Sequence, residues 1–175
     1  DLVAYVLLQI IGAILCLVFL PSCYKPYDNL NRRAINDEQI EIESAKTEMR
    51  LWSTNDLSIH YNVWDNEDAI TLNGFVKLSN SVTYSFPRTD FLIIYVYLLN
   101  NEGMATSRHT IRPRQSKYNP FPEKSKFSRQ IPKDTDTASF AFGYFGNFFD
   151  AESEDRGGRI RTDVMDWEIY HSPFE

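Results

Sequence analysis

The side chains that could do chemistry in this chain are few or scattered. Its two cysteines are Cys16 and Cys23, one inside an apolar run and one at the end of it. That placement suits neither an intradomain disulfide, nor a zinc site, nor covalent haem. His60, His109 and His171 stand far apart. A metal would need them to converge with carboxylates, and isolated histidines are the expectation. Asp150, Glu152, Glu154 and Asp155 offer oxygen ligands at near-alternate positions, as calcium requires, but without the bidentate Glu and central Gly of an EF-hand loop. The stretch reads as a solvated acidic loop. No serine sits in a nucleophile elbow, and Gly157-Gly158 is too short to cradle a phosphate. The expectation is a chain without a catalytic site, a metal or a cofactor, and so not an enzyme.

Charge says more about partners. The net charge of −6 is unevenly spread. Tyr84 to Lys133 holds nine Lys or Arg against three acids, while Asp134 to Glu175 holds ten acids against three arginines. In the basic stretch Arg108, Arg112, Arg114, Lys117, Lys124 and Lys126 interleave with Tyr118 and Phe121. Nucleic-acid domains are usually basic overall and carry a reading motif, and this chain shows neither. The readings left are a solvated loop, contact with an acidic protein surface, or contact with phospholipid headgroups. Arg112, Arg114, Lys117, Tyr118 and Phe121 are the partner-contact candidates there. At the other end, large rings left in water forgo about 1.5–3 kcal/mol each. Either Asp166 to His171 completes the domain's own sheet, or the tail lies on a partner with Trp167 and Phe174 as anchors.

These groups must be held by something. Leu2 to Leu20 carries no charge, and its nineteen residues would reach roughly 28 Å as a helix, close to the thickness of a bilayer core. Gly12 and Ala13 would let a neighbouring helix approach, which makes Gly12 a further contact candidate. Pro21 ends the run, and Tyr24 and Tyr27 stand where interfacial aromatics stand. Leu20-Pro21-Ser22-Cys23 also resembles the lipobox of bacterial lipoproteins, which implies Cys23 as a lipidation candidate. Three readings stay open: a retained single-span anchor, a cleaved lipoprotein signal, and a buried soluble helix. Lys25, Arg32 and Arg33 argue for a cytoplasmic flank, whereas the lipobox likeness and the β-rich body argue for an extracytoplasmic domain. The placement chosen is the bacterial inner membrane, single-pass, with the C-terminal domain in the periplasm.

Residues 24–56 read as a linker with a short amphipathic helix. Asn36 would cap it, Gln39 sits at the capping-box position, and Ile42, Ala45, Met49 and Trp52 follow at helical spacing. Ile40 and Ile42 alternate with glutamates, so an opening strand is the other reading. From Leu57 the period becomes two. Strands are predicted near 57–63, 70–78, 91–99, 104–111, 126–131 and 138–145, with a last pair over 160–164 and 167–170. Phe91 to Leu99 reads as a central strand covered on both faces. Asn100 to Gly103 is the strongest hairpin turn. Seven or so short strands of this kind describe an all-β sandwich. The units are therefore an anchor over 1–23, a linker over 24–56, a sandwich over 57–146 and an acidic aromatic tail over 147–175.

Leu72-Asn73-Gly74, Phe91 to Gly103, Arg112 to Phe127 and Phe140 to Gly146 come in an order that resembles small bacterial membrane-anchored or lipoprotein-like envelope proteins with an immunoglobulin-like domain. The likeness covers roughly residues 57–146 and implies an antiparallel β-sandwich and a binding or assembly role, with no active-site residues. Two functions are weighed. One is a non-catalytic accessory subunit that braces a larger membrane complex of respiratory, photosynthetic or secretion type, with other subunits and the bilayer as partners. The other is a free envelope lipoprotein that binds a ligand, a peptide or a cell-wall component.

Overall fold

The computed structural model describes residues 29–42, 48–113, 120–150 and 166–174. The apolar run 2–20 lies outside these residues, and no helix among those described is long and apolar enough to cross a membrane. Among the described residues nine strands form two antiparallel sheets. They are β1 (Ile40–Glu41), β2 (Arg50–Ser53), β3 (Leu57–Asp65), β4 (Ala69–Leu78), β5 (Arg88–Asn100), β6 (Ala105–Ile111), β7 (Ser125–Pro132), β8 (Thr137–Phe149) and β9 (Asp166–His171). Sheet one runs β1-β8-β5-β6, with β9 also on β8, and sheet two runs β2-β3-β4-β7. β1 pairs at Ser139 and Phe140 and β9 at Tyr144 to Phe149, so the two short strands share the edge of β8 that faces away from β5.

Period-two alternation builds the core. Leu57, Ile59, Tyr61 and Val63 of β3, with Ile70, Leu72 and Val76 of β4, turn inward to meet Leu92, Ile94, Val96 and Leu98 of β5 and Phe140, Phe142 and Tyr144 of β8. A second, smaller core lies on the outer face of sheet one. There Tyr97, Leu99, Ala105 and Ala141 are covered by Ala34 and Phe174 from the two ends of the described chain. This small core buries both faces of β5 over Val96 to Leu99 only. The expectation of a strand covered on both faces over 91–99 fails nearer its start, where Phe91, Ile93 and Tyr95 stay half-buried because the small core ends against Tyr95. The β5–β6 turn follows its sequence signal closely. Gly103 takes φ +75°, and the Asn100 Oδ1 accepts from the amides of Glu102 (3.0 Å) and Met104 (2.9 Å).

Three expectations change. The linker helix over 36–52 is replaced by one 3-10 turn at Asn36–Glu38, then β1 and β2. Ile40 pairs with Phe140 and Trp52 with Ile59, so sheet pairing outweighs the local capping signal. A helix that the sequence reading did not assign, α1 (Asn80–Ser85), is capped by Ser79 and holds Val82 in the core. The sheets also extend beyond 57–146: β8 runs to Phe149, and β9 pairs with its last six residues. The strand expected over 160–164 lies outside the described residues.

Candidate functional site

β6 and β7 are the outer strands of different sheets, and they lie side by side along one flank of the sandwich. Two adjoining grooves share Lys126, Phe127 and Ser128 of β7, and the second of them lies between β7 and the end of β6. One, of about 550 Å³, is completed by Pro122, Lys124 and Ser125. The other, of about 670 Å³, is completed by Thr110, Ile111, Arg112 and Arg129. Cations rim the floor made by Phe127. Lys124 lies 5.4 Å from the ring centre of Phe75, a cation-π contact that positions its ammonium beside the groove. The Phe75 ring in turn stacks on His60 at 4.5 Å. Lys133 nearby is paired with Asp65, but no carboxylate among the described residues pairs with Arg112, Lys124, Lys126 or Arg129.

His109 on β6 closes the electrostatic picture. Its Nε2 is 3.1 Å from Ser107 Oγ. Burial, and then the charge of Arg129 on β7, lower its pKa below the usual histidine value. The imidazole is therefore neutral at pH 7, and the positive potential of the groove comes from Lys and Arg. Four cations without a carboxylate partner among the described residues, one aromatic floor and a strand edge can bind acidic groups.

The candidate residues from sequence divide between places. Arg112 is exposed at the mouth of the groove. Phe121 is buried in the main core, where it pins the end of the proline-rich loop. Phe174 is only 6% exposed and stands edge-on to Tyr97 at 4.8 Å, so its ring belongs to the chain's own second core. Trp167 is 51% exposed and stacks on Phe86 at 5.4 Å. Gly12, Cys23, Arg114, Lys117 and Tyr118, like the acidic cluster from Glu152 to Asp155, lie outside the described residues. Lys124 and Lys126, already noted in the basic stretch, line the groove. Arg129 was not singled out, because only the pairing of β7 shows that it faces the same gap.

A polar knot at another place escaped sequence reasoning altogether. The Tyr144 hydroxyl donates to Asp56 Oδ2 at 2.6 Å and lies 2.9 Å from Thr54 Oγ1. The Tyr144 ring stacks on His171, which also meets Trp52 edge-on. His171 Nε2 is 3.3 Å from Glu38 Oε1, off the line of a hydrogen bond, and Trp52 Nε1 donates to Glu38 Oε2 at 3.2 Å. Burial first, and the bond to Asp56 second, raise the Tyr144 pKa well above its usual value, so the phenol stays protonated. The knot fastens the chain ends to β2 and β8. Its members are spread from Glu38 to His171, and no motif links them in sequence. Among the described residues no group of three or more His, Cys, Asp or Glu is placed to hold a metal ion. No protein-family model, curated protein or solved structure matches the chain.

Proposed function

We propose that this chain is a single-span accessory subunit of a larger membrane protein complex, with no catalytic role of its own. In this reading residues 2–20 are the anchor, and an immunoglobulin-like sandwich braces the complex on the periplasmic side of a bacterial inner membrane. The observation that carries it is the groove between β6 and β7. Four cations without carboxylate partners among the described residues line it, and such cations on a concave surface are an electrostatic complement to an acidic partner. The apolar run and the lipobox-like Leu20 to Cys23 support a membrane setting. The two face-to-face antiparallel sheets support the immunoglobulin-like description.

Gentle solubilisation of native membranes followed by a native gel tests the reading. Migration in a larger species is expected, and a Lys126→Glu/Arg129→Glu chain should leave that species while keeping its fold. Migration only as a 20.4 kDa protein overturns the proposal. Intact mass adds a second arm, since a lipidated product that begins at Cys23 would replace the spanning anchor with a lipoprotein.

A further inference from the structure

We propose that β7 takes up an extended acidic segment of a partner protein as one more strand of sheet two, with Lys126, Arg129 and Arg112 holding its carboxylates. The inference rests on the accessory-subunit reading and names the chemistry of the partner.

The argument begins at the strand edge. β7 ends the order β2-β3-β4-β7, so among the described residues β4 is its one strand partner. In a pleated strand alternate residues turn their N–H and C=O away from the neighbour, and on an edge those groups are left to water or to a new strand. The other long edge of this flank is partly closed. The β6 residue Ala105 exchanges backbone bonds of 2.9 Å with Asn31 and Arg32, and Gly103 just before it accepts from Ala34. β2, the opposite edge of sheet two, has four residues. β7 has eight, a rail of about 26 Å, enough for a segment of similar length.

Charge then selects what can dock. Lysine on an edge is a common guard against pairing with another copy of the same edge. Here Lys126 and Arg129 on β7, with Lys124 before it, would repel a second β7 but attract carboxylates. The shape favours a chain over a lipid surface. The cations line a concave gap that runs along the strand with Phe127 at its floor, whereas a headgroup layer meets a flat or convex face. Phe127 and Arg129 share the core-facing side of β7 and Lys126 lies on the other with Phe75, so a segment with acids on both of its faces would place one set of carboxylates toward Arg112 and Arg129 and the other toward Lys126.

The test uses the full-length chain in neutral detergent and a fluorescein-labelled twelve-residue peptide that repeats Glu-Glu-Thr-Thr, so that both faces of the extended segment carry glutamates. A second peptide has the same sequence with alternate backbone nitrogens methylated, so charge is kept and strand bonding is lost. The unmodified peptide should bind, with affinity falling at least tenfold for Lys126→Ala/Arg129→Ala and for the methylated peptide. Equal binding of the two peptides reduces the groove to a charge patch and overturns the proposal. So does no binding, or binding that survives the double substitution, or stronger association with phosphatidylglycerol vesicles that displaces the peptide. The subunit reading fails separately. Peptide binding by a chain that migrates alone on the native gel overturns that reading and supports the edge. Retention in a complex without peptide binding does the reverse.

Discussion

One phenol hydroxyl joins parts of the chain nearly ninety residues apart, since Tyr144 donates to Asp56 and meets Thr54. Tyr144→Phe keeps the ring and its stacking but leaves the Asp56 carboxylate short of a donor. A loss of about 1–2 kcal/mol is expected, read from urea unfolding at pH 7. The same residue shapes the alkaline limit. Burial raises the pKa of Tyr61, Tyr97 and Tyr144 above the ordinary value of about 10. The unfolded chain therefore ionises first. Stability is complete below about pH 10 and is lost as pH rises through the higher folded-state values. Urea midpoints measured from pH 8 to 11 should fall beyond about pH 10, with a shallower slope for Tyr144→Phe. His109 acts at the other limit. Its lowered pKa means the fold resists a proton that the unfolded chain accepts below about pH 6.5, so stability declines as pH falls through that range. The fall in midpoint between pH 7.5 and 5.5 should shrink in His109→Gln.

At the scale of elements, β3 and β4 depend on one close approach. Gly74 lies opposite Tyr61, and a Cβ there would overlap the His60 carbonyl oxygen. Gly74→Ala is expected to force the two backbones apart and to lower stability by about 1–3 kcal/mol, checked by urea unfolding, with the β3–β4 amides losing protection first in hydrogen exchange. Strands of this kind were legible in the sequence because one face is buried and a period of two survives any detail of packing. β5 was legible as well, from nine apolar residues bounded by turn letters. The misread element was the one whose outcome is non-local. Asn36 to Gln39 carries the letters of a helix start, but Ile40 and Trp52 gain more by joining sheets whose other strands lie far along the chain. α1 is six residues long, too short to show a helical period, and only its Ser79 cap signalled it. The site was half legible. Its basic letters stood out, but that β6 and β7 edge different sheets and enclose a gap is fixed by pairings with β5 and β4.

For the molecule as a whole, the last nine described residues are part of the fold. Ile169 is buried in the main core and Phe174 in the smaller one against Tyr97, each a contribution of about 1.5–3 kcal/mol. Deleting residues 166–175 should lower the melting temperature of the full-length chain sharply, as followed by circular dichroism. An unchanged melting temperature with lost retention in a complex would assign this stretch to a partner instead.

The closure of the two ends of the described chain on one another has a mechanical meaning. Ala34 bridges Phe174, and Ile35 donates to the Pro173 carbonyl at 2.9 Å. A load applied through the chain ahead of Asn29 reaches the bonds of Asn31 and Arg32 to Ala105 at the start of β6, and then this small latch, before it reaches β1. The latch works as a fuse. Under tension it should peel open at low force while the paired strands β5 and β8 stay intact, giving two separate rupture events in single-molecule pulling from the N-terminus.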